Sequence, residues 1–117
     1  MIKVYVAGPY TKGDVCINVK KAIDIGEELI QKGFCPYIPH LTHFQHLFHP
    51  HTWQEWLDLD FEWIKQCDYL LRISGESLGA DKEVEFAKQN NITVVSSVND
   101  LLIRLDYIEN YGTESTL

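Results

Sequence analysis

Hydrophobic and polar positions along the chain change their period several times. Residues 2–7 (IKVYVA) form a β-branched and aromatic run that stops at Gly8-Pro9, which predicts a short buried strand. Over 15–32 the period becomes helical: Val15, Val19, Ala22, Gly26, Leu29 and Ile30 share one stripe, and Gly33 stands where a helix stops. Residues 34–38 predict a second strand, ended by Pro39. Residues 53–66 predict a second helix with Trp53, Trp56, Leu57, Trp63 and Ile64 on its apolar arc. Residues 67–73 (CDYLLRI) are nearly all apolar, as in a strand covered on both faces and therefore central in its sheet. A Gly/Ser turn, a helix over 80–90 and a strand over 92–96 follow. Asn99 is placed to cap a last helix over 100–109, before a polar tail over 111–117.

Strands alternating with helices predict right-handed βαβ units. The expected fold is α/β: a small doubly wound parallel sheet, flavodoxin- or Rossmann-like, of four to five strands with helices on both faces, one domain over 1–117. Ligands in such sheets bind outside the carboxyl ends of the strands, where the strand order reverses. Two glycine-bearing turns leave those ends, Gly8-Pro9-Tyr10-Thr11-Lys12-Gly13 and residues 74–79. Neither is a P-loop or a GxGxxG turn, so the dinucleotide and ATP-hydrolysing fingerprints are missing.

Three polar residues fall on the wrong faces of their helices. Winding 80–90 at about 100° per residue gathers Ala80, Val84 and Ala87, with Phe86 at the margin, opposite Asp81, Glu85, Lys88 and Gln89. Glu83 projects between Ala87 and Phe86, on the buried arc. Asp60 sits inside the apolar arc of the second helix, away from Glu55, Asp58, Glu62, Lys65 and Gln66. Asn18 interrupts the stripe of the first. Taken singly, each reads as a satisfied buried polar group. Two inward carboxylates beside a strand-end crevice point further, because paired carboxylates are what cleavage of a glycosidic bond requires. Glu83, expected in the first turn of its helix, would be ionised by the helix dipole and act as nucleophile. Asp60, among the tryptophans, would keep its proton by desolvation and act as general acid.

Composition narrows the partners. A formal charge of −7 argues against a nucleic-acid backbone, while a helix N-terminus can still hold a small anion. No apolar run is long enough for a bilayer, and the N-terminus reads as a strand rather than a signal peptide, so no membrane partner and a cytoplasmic location are expected. Three cysteines without a CxxC, Cys16, Cys35 and Cys67, read as reduced core or near-core thiols. All five histidines fall in 40–51, with no HExxH and no cysteine or acid among them, so a lid over the crevice is expected there rather than a metal site. His40 or His43 would stand near the ligand, with Phe44, Leu47 and Phe48 packing. The three tryptophans read as core or subunit interface.

The stretch from Val4-Tyr5-Val6-Ala7-Gly8-Pro9-Tyr10 to the fourth strand, and above all Ser77-Leu78-Gly79 followed by Glu83, resembles the nucleoside 2-deoxyribosyltransferase superfamily, which includes deoxynucleoside 5′-monophosphate N-glycosidases. The resemblance implies Glu83 as the nucleophile and Asp60, by its spacing to Cys67-Asp68, as the active-site aspartate. It further implies Gly8, Pro9 and Tyr10 as contacts to sugar and base, and Ser77 and Gly79 as contacts to sugar or 5′ group. Asn18 and His43 complete the expected substrate-binding set. The implied partner is a small-molecule nucleoside or nucleotide, without metal or cofactor, in a homodimer or larger homo-oligomer. The sequence departs from the family at Asp81-Lys82-Glu83-Val84-Glu85, where Glu85 replaces a glycine at a position of close packing. Lys12 is the nearest cation to the first loop, where monophosphate glycosidases carry arginine. Nucleosides and 5′-monophosphates thus both stay open as substrates, as does a domain that binds a nucleotide derivative without cleaving it. A flavodoxin-like interaction module is disfavoured by the inward Glu83 and Asp60.

Overall fold

Val4, Tyr5, Val6 and Ala7 are all fully buried, which places the first strand, β1 (Lys3–Ala7), in the middle of a sheet. The structure is a computed structural model describing residues 1–112, so most of the expected polar tail lies outside the described residues. The remaining elements are α1 (Val15–Gln31), β2 (Cys35–Tyr37), a 3-10 turn (Pro39–Leu41), α2 (Thr42–Phe48), α3 (Trp53–Ile64), β3 (Tyr69–Arg72), α4 (Leu78–Gln89), β4 (Thr93–Val95) and α5 (Val98–Tyr111). The strand order is β2-β1-β3-β4 and every pairing is parallel, with Tyr5 opposite Tyr37 on one side and Leu70 on the other. The α/β class, the central β3 and the helices on both faces are as expected, with four strands.

Alternation along the strands divides the core into two layers. Val4, Val6, Leu71 and Val95 face α1 and α5 and pack on Ala22, Leu29, Val98 and Leu101. Tyr5, Ala7 and Leu70 face α3 and α4 and pack on Ile64, Ala80 and Ala87. The chain leaves β1 toward β2 on one side, whereas β3 lies on the other, so the order reverses between β1 and β3. The loops that follow these strands therefore meet. At Gly8 a Cβ would stand 2.9 Å from that of Ile73, and at Gly75, whose φ is +125°, it would stand 2.7 Å from Pro9 Cγ. Only glycine permits both approaches.

Several expectations are corrected. Ser97, not Asn99, caps α5: its hydroxyl accepts the N–H of Asp100 at 2.9 Å, and Asn99 lies inside the helix. α4 begins at Leu78, two residues earlier than the apolar periodicity suggests, because Ser77 caps it. The histidine-rich segment is mostly helical. Its Phe44, Leu47 and Phe48 point to solvent rather than packing, Phe48 being 80% exposed. Trp53 and Trp63 are about half exposed, so they are not core. Cys16 and Cys35 are exposed and Cys67 half-buried, so the first two are surface thiols: one on the wet side of α1, the other on the edge strand. Glu85 is exposed on α4, not in close packing. At the β2 edge, Cys35 donates its N–H to Ile2 at 2.9 Å, which turns the nitrogen of the next residue, Pro36, outward. Among the described residues no helix is long and apolar enough to cross a membrane.

Candidate active site

Three elements bring three polar groups to one point beneath the carboxyl ends of β1 and β3. β1 turns Tyr5 toward α3 and α4 by strand alternation. α3 is started by Thr52, whose hydroxyl accepts the N–H of Glu55 at 3.1 Å, and Asp60 then falls on the same stripe as Trp53, Trp56 and Leu57. α4 is started by Ser77, whose hydroxyl accepts the N–H of Ala80 at 3.1 Å. Glu83 thereby lies between Ala80 and Ala87 on the face against the sheet, only 6% exposed. The Tyr5 hydroxyl donates to Glu83 Oε2, and Asp60 stands beside the two, near enough for its charge to act on both.

The electrostatics follow from burial. Loss of water holds the Glu83 carboxyl well above its ordinary range and the Asp60 charge adds to this, while the Tyr5 hydrogen bond and the Arg72 guanidinium oppose it. Asp60 is raised to about 6, again chiefly by desolvation, against hydrogen bonds from Glu83 and Tyr5. Tyr5 itself is pushed far up by burial and by Glu83 and Asp60, so it remains a donor. The expectation that the helix dipole keeps Glu83 ionised is therefore corrected. With α4 starting at Leu78, Glu83 lies in the second turn, beyond the end's unpaired N–H groups, and desolvation prevails. Both carboxyls are thus held above their ordinary ranges by burial, and Glu83, the more deeply buried, keeps its proton more tightly than Asp60.

Arg72, at the end of β3, braces the loop between β3 and α4. Its guanidinium donates to the carbonyls of Ile73 and, at 3.0 Å, of Gly75, and pairs with Asp81 at 2.9 Å. A cavity of about 520 Å³ opens above the carboxyl pair. Gly8, Tyr10 and Lys12 form one wall, and Ser77 and Gly79 the opposite one. His40 and His46 form a third, and Trp53, Trp56 and Leu57 of α3 a fourth. Lys12 and Glu76 reach across between the two loops to 3.6 Å.

Of the residues expected from sequence, Glu83, Asp60, Gly8, Tyr10, Ser77 and Gly79 come together in this cavity. Pro9 and Asn18 instead line a neighbouring cleft of about 360 Å³. The Pro9 carbonyl accepts from His40 Nε2 at 2.8 Å. The Asn18 amide holds the first loop by donating to the carbonyls of Tyr10 (2.9 Å) and Lys12 (2.8 Å). His43 lies behind the wall, its Nδ1 hydrogen bonded to the Tyr10 hydroxyl. Sequence reasoning passed over Tyr5, His46, His51 and Arg72. The signal for Tyr5 was a lone hydroxyl inside an otherwise apolar strand. His40 is 5% exposed, and burial lowers its affinity for a second proton. Among the described residues no three His, Cys, Asp or Glu side chains are grouped so as to hold a metal ion.

A family model described as a domain of unknown function (DUF7768) matches residues 2–97. No curated protein matches the sequence. Among solved structures, a 2-deoxyribosyltransferase from the psychrotolerant bacterium Bacillus psychrosaccharolyticus aligns over 97% of this chain and 94% of its own, with 21% identity and a TM-score of 0.54. That protein is described as a biocatalyst for the synthesis of antiviral and antitumoral nucleosides. At this identity the likeness is one of fold, and the fold is the one the sequence resemblance implied.

Proposed function

The chain belongs to the DUF7768 family, and we propose that it cleaves or transfers the N-glycosidic bond of a (deoxy)nucleoside or nucleoside 5′-monophosphate. The observation that carries this reading is the placing of two neighbouring carboxyls, Asp60 and the Tyr5-bonded Glu83, at the floor of a strand-end cavity. Two carboxyls sharing a proton in a dry site supply an attacking anion and an acid at once. The fold shared with a 2-deoxyribosyltransferase supports the same direction.

The position of the shared proton is biased by the neighbours. In the resting pair Glu83 holds its proton more tightly than Asp60. The reactive form, with the charge on Glu83 and the proton on Asp60, is reached by moving the proton across as substrate binds. The Tyr5 hydroxyl and the Arg72 guanidinium, which favour charge on Glu83, ease that transfer. A Glu83 oxygen then attacks C1′, the C1′–N bond breaks, and its electron pair leaves with the base, which takes the proton from Asp60. A glycosyl ester on Glu83 results. Water, or the nitrogen of a second base, attacks C1′ from the vacated side, gives its proton to Asp60 and restores the Glu83 carboxylate. Two inversions give overall retention. Gly8, Tyr10, Ser77 and Gly79 would surround the sugar and its 5′ end.

Wild-type protein and Glu83→Gln would be incubated with deoxy- and ribonucleosides and their 5′-monophosphates, with and without a second free base, and resolved by chromatography. Free base or a new nucleoside from the wild type alone is the expected result. Full cleavage by Glu83→Gln would refute the mechanism. A ligand-induced rise in melting temperature without product would make the pocket a binding site for a nucleotide derivative.

A further inference from the structure

His46 holds a hydrogen-bond donor that the reaction above leaves unused. Its Nδ1 accepts the indole N–H of Trp56 at 2.8 Å and the backbone N–H of His51 at 3.3 Å. A ring nitrogen that receives N–H donors carries no hydrogen of its own, so the hydrogen of the neutral ring is on Nε2. The tautomer is thereby fixed by the surroundings. Among the described residues Nε2 has no hydrogen-bond partner, although the other ring nitrogen has two. Edge-to-face contact with Trp56, at 5.9 Å between ring centroids, holds the ring in place.

The location gives this donor its meaning. His46, Trp56 and Asp60 line the same cavity. Trp56 precedes Asp60 by about one helical turn, roughly 6 Å along the axis of α3. A leaving base served by Asp60 must lie against this wall, with the sugar toward Glu83 and the Gly8 and Ser77 loops. We propose that His46 is a base-recognition residue, donating its Nε2–H to a ring nitrogen or carbonyl of the substrate's base, and that Trp56 positions it by fixing its tautomer. The inference rests on the pocket being a nucleoside site. It adds a selection rule: the base carries an acceptor at the edge facing α2, and an analogue with a C–H there is discriminated against.

The test is binding of purine deoxynucleosides and their 7-deaza and 3-deaza analogues to Glu83→Gln protein, which binds without turnover, measured by calorimetry. Adding His46→Leu should weaken the parent nucleoside about tenfold, the equivalent of one hydrogen bond of about 1.4 kcal/mol. One deaza analogue should show the same loss when His46 is present and none beyond it with His46→Leu. Trp56→Phe keeps an aromatic ring and removes the indole N–H. It should cost several-fold with His46 present and nothing further with His46→Leu, a coupling that a purely structural role would not produce. Unchanged affinity across the panel in a His46→Leu protein of unaltered melting temperature overturns the inference and leaves the glycosidic reading intact. If no nucleoside binds and the wild type releases no base, both fall together.

Discussion

Consider the replacement of Asp60 by asparagine, a near-isosteric change that removes one charge from the buried pair. In the folded protein Asp60 is raised from 3.8 to about 6 by desolvation. A difference of roughly two pH units corresponds to about 3 kcal/mol. The sign follows from which state holds the proton more tightly. The native carboxyl does, so its contribution is complete below about pH 4 and is lost as the pH rises through about 6. At pH 7 the ionised aspartate therefore costs the fold up to about 3 kcal/mol. Asparagine has nearly the same shape and carries no such charge. Asp60→Asn should melt higher than wild type at pH 7, by roughly 10 °C for a domain of this size, and at nearly the same temperature at pH 4. Calorimetric melting of both proteins from pH 4 to 8, with base release assayed in parallel, reads the two effects. The stabilised variant should be inactive because the departing base has lost its acid. A variant that melts with or below the wild type at pH 7 would show that the pair is not the buried, proton-sharing unit described.

Other perturbations probe the same site and its supports. Tyr5→Phe removes a donor that favours charge on Glu83; kcat/KM should fall roughly ten- to a hundredfold, as for a lost hydrogen bond to a carboxylate, and the acidic limb of the pH profile should move to higher pH. An unmoved limb would argue against the bond. Ser77→Ala should cost about 1 kcal/mol in denaturant unfolding through loss of the α4 cap. Gly75→Ala should cost at least about 1 kcal/mol, since alanine is strained at a φ of +125° and its Cβ meets Pro9; wild-type stability would refute the claimed closeness of the two loops.

Much of the fold was legible in the chain because α1 and α4 each bury one clear face, while β1 and β3 are short apolar runs buried on both. Glu83 and Asp60 stood out for the same reason: a carboxylate inside an apolar arc is visible wherever the arc is. α2 was not legible as a helix, since Phe44, Leu47 and Phe48 are exposed and leave no amphipathic stripe to count. Tyr5 was hidden by being an ordinary strand residue, and its partner lies in a helix brought near only by the β1–β3 pairing. His46 depended on contacts with Trp56 and His51, which no spacing rule encodes. The ionisation of Glu83 was misread through a shift of two residues in the start of α4, enough to move it from the first turn to the second.

Pro36 has a consequence for how the protein behaves when crowded with copies of itself. An open sheet edge is a template on which another chain can add a strand, and sustained addition leads to fibres. β2 is three residues long, and two of its residues, Cys35 and Tyr37, turn their N–H groups inward to β1. The position between them, facing outward, is a proline and has no hydrogen to give. An incoming strand would find no donor along the centre of this edge. That side of the sheet is closed to growth by a single residue, and the deletion of one N–H does what a covering helix would otherwise have to do.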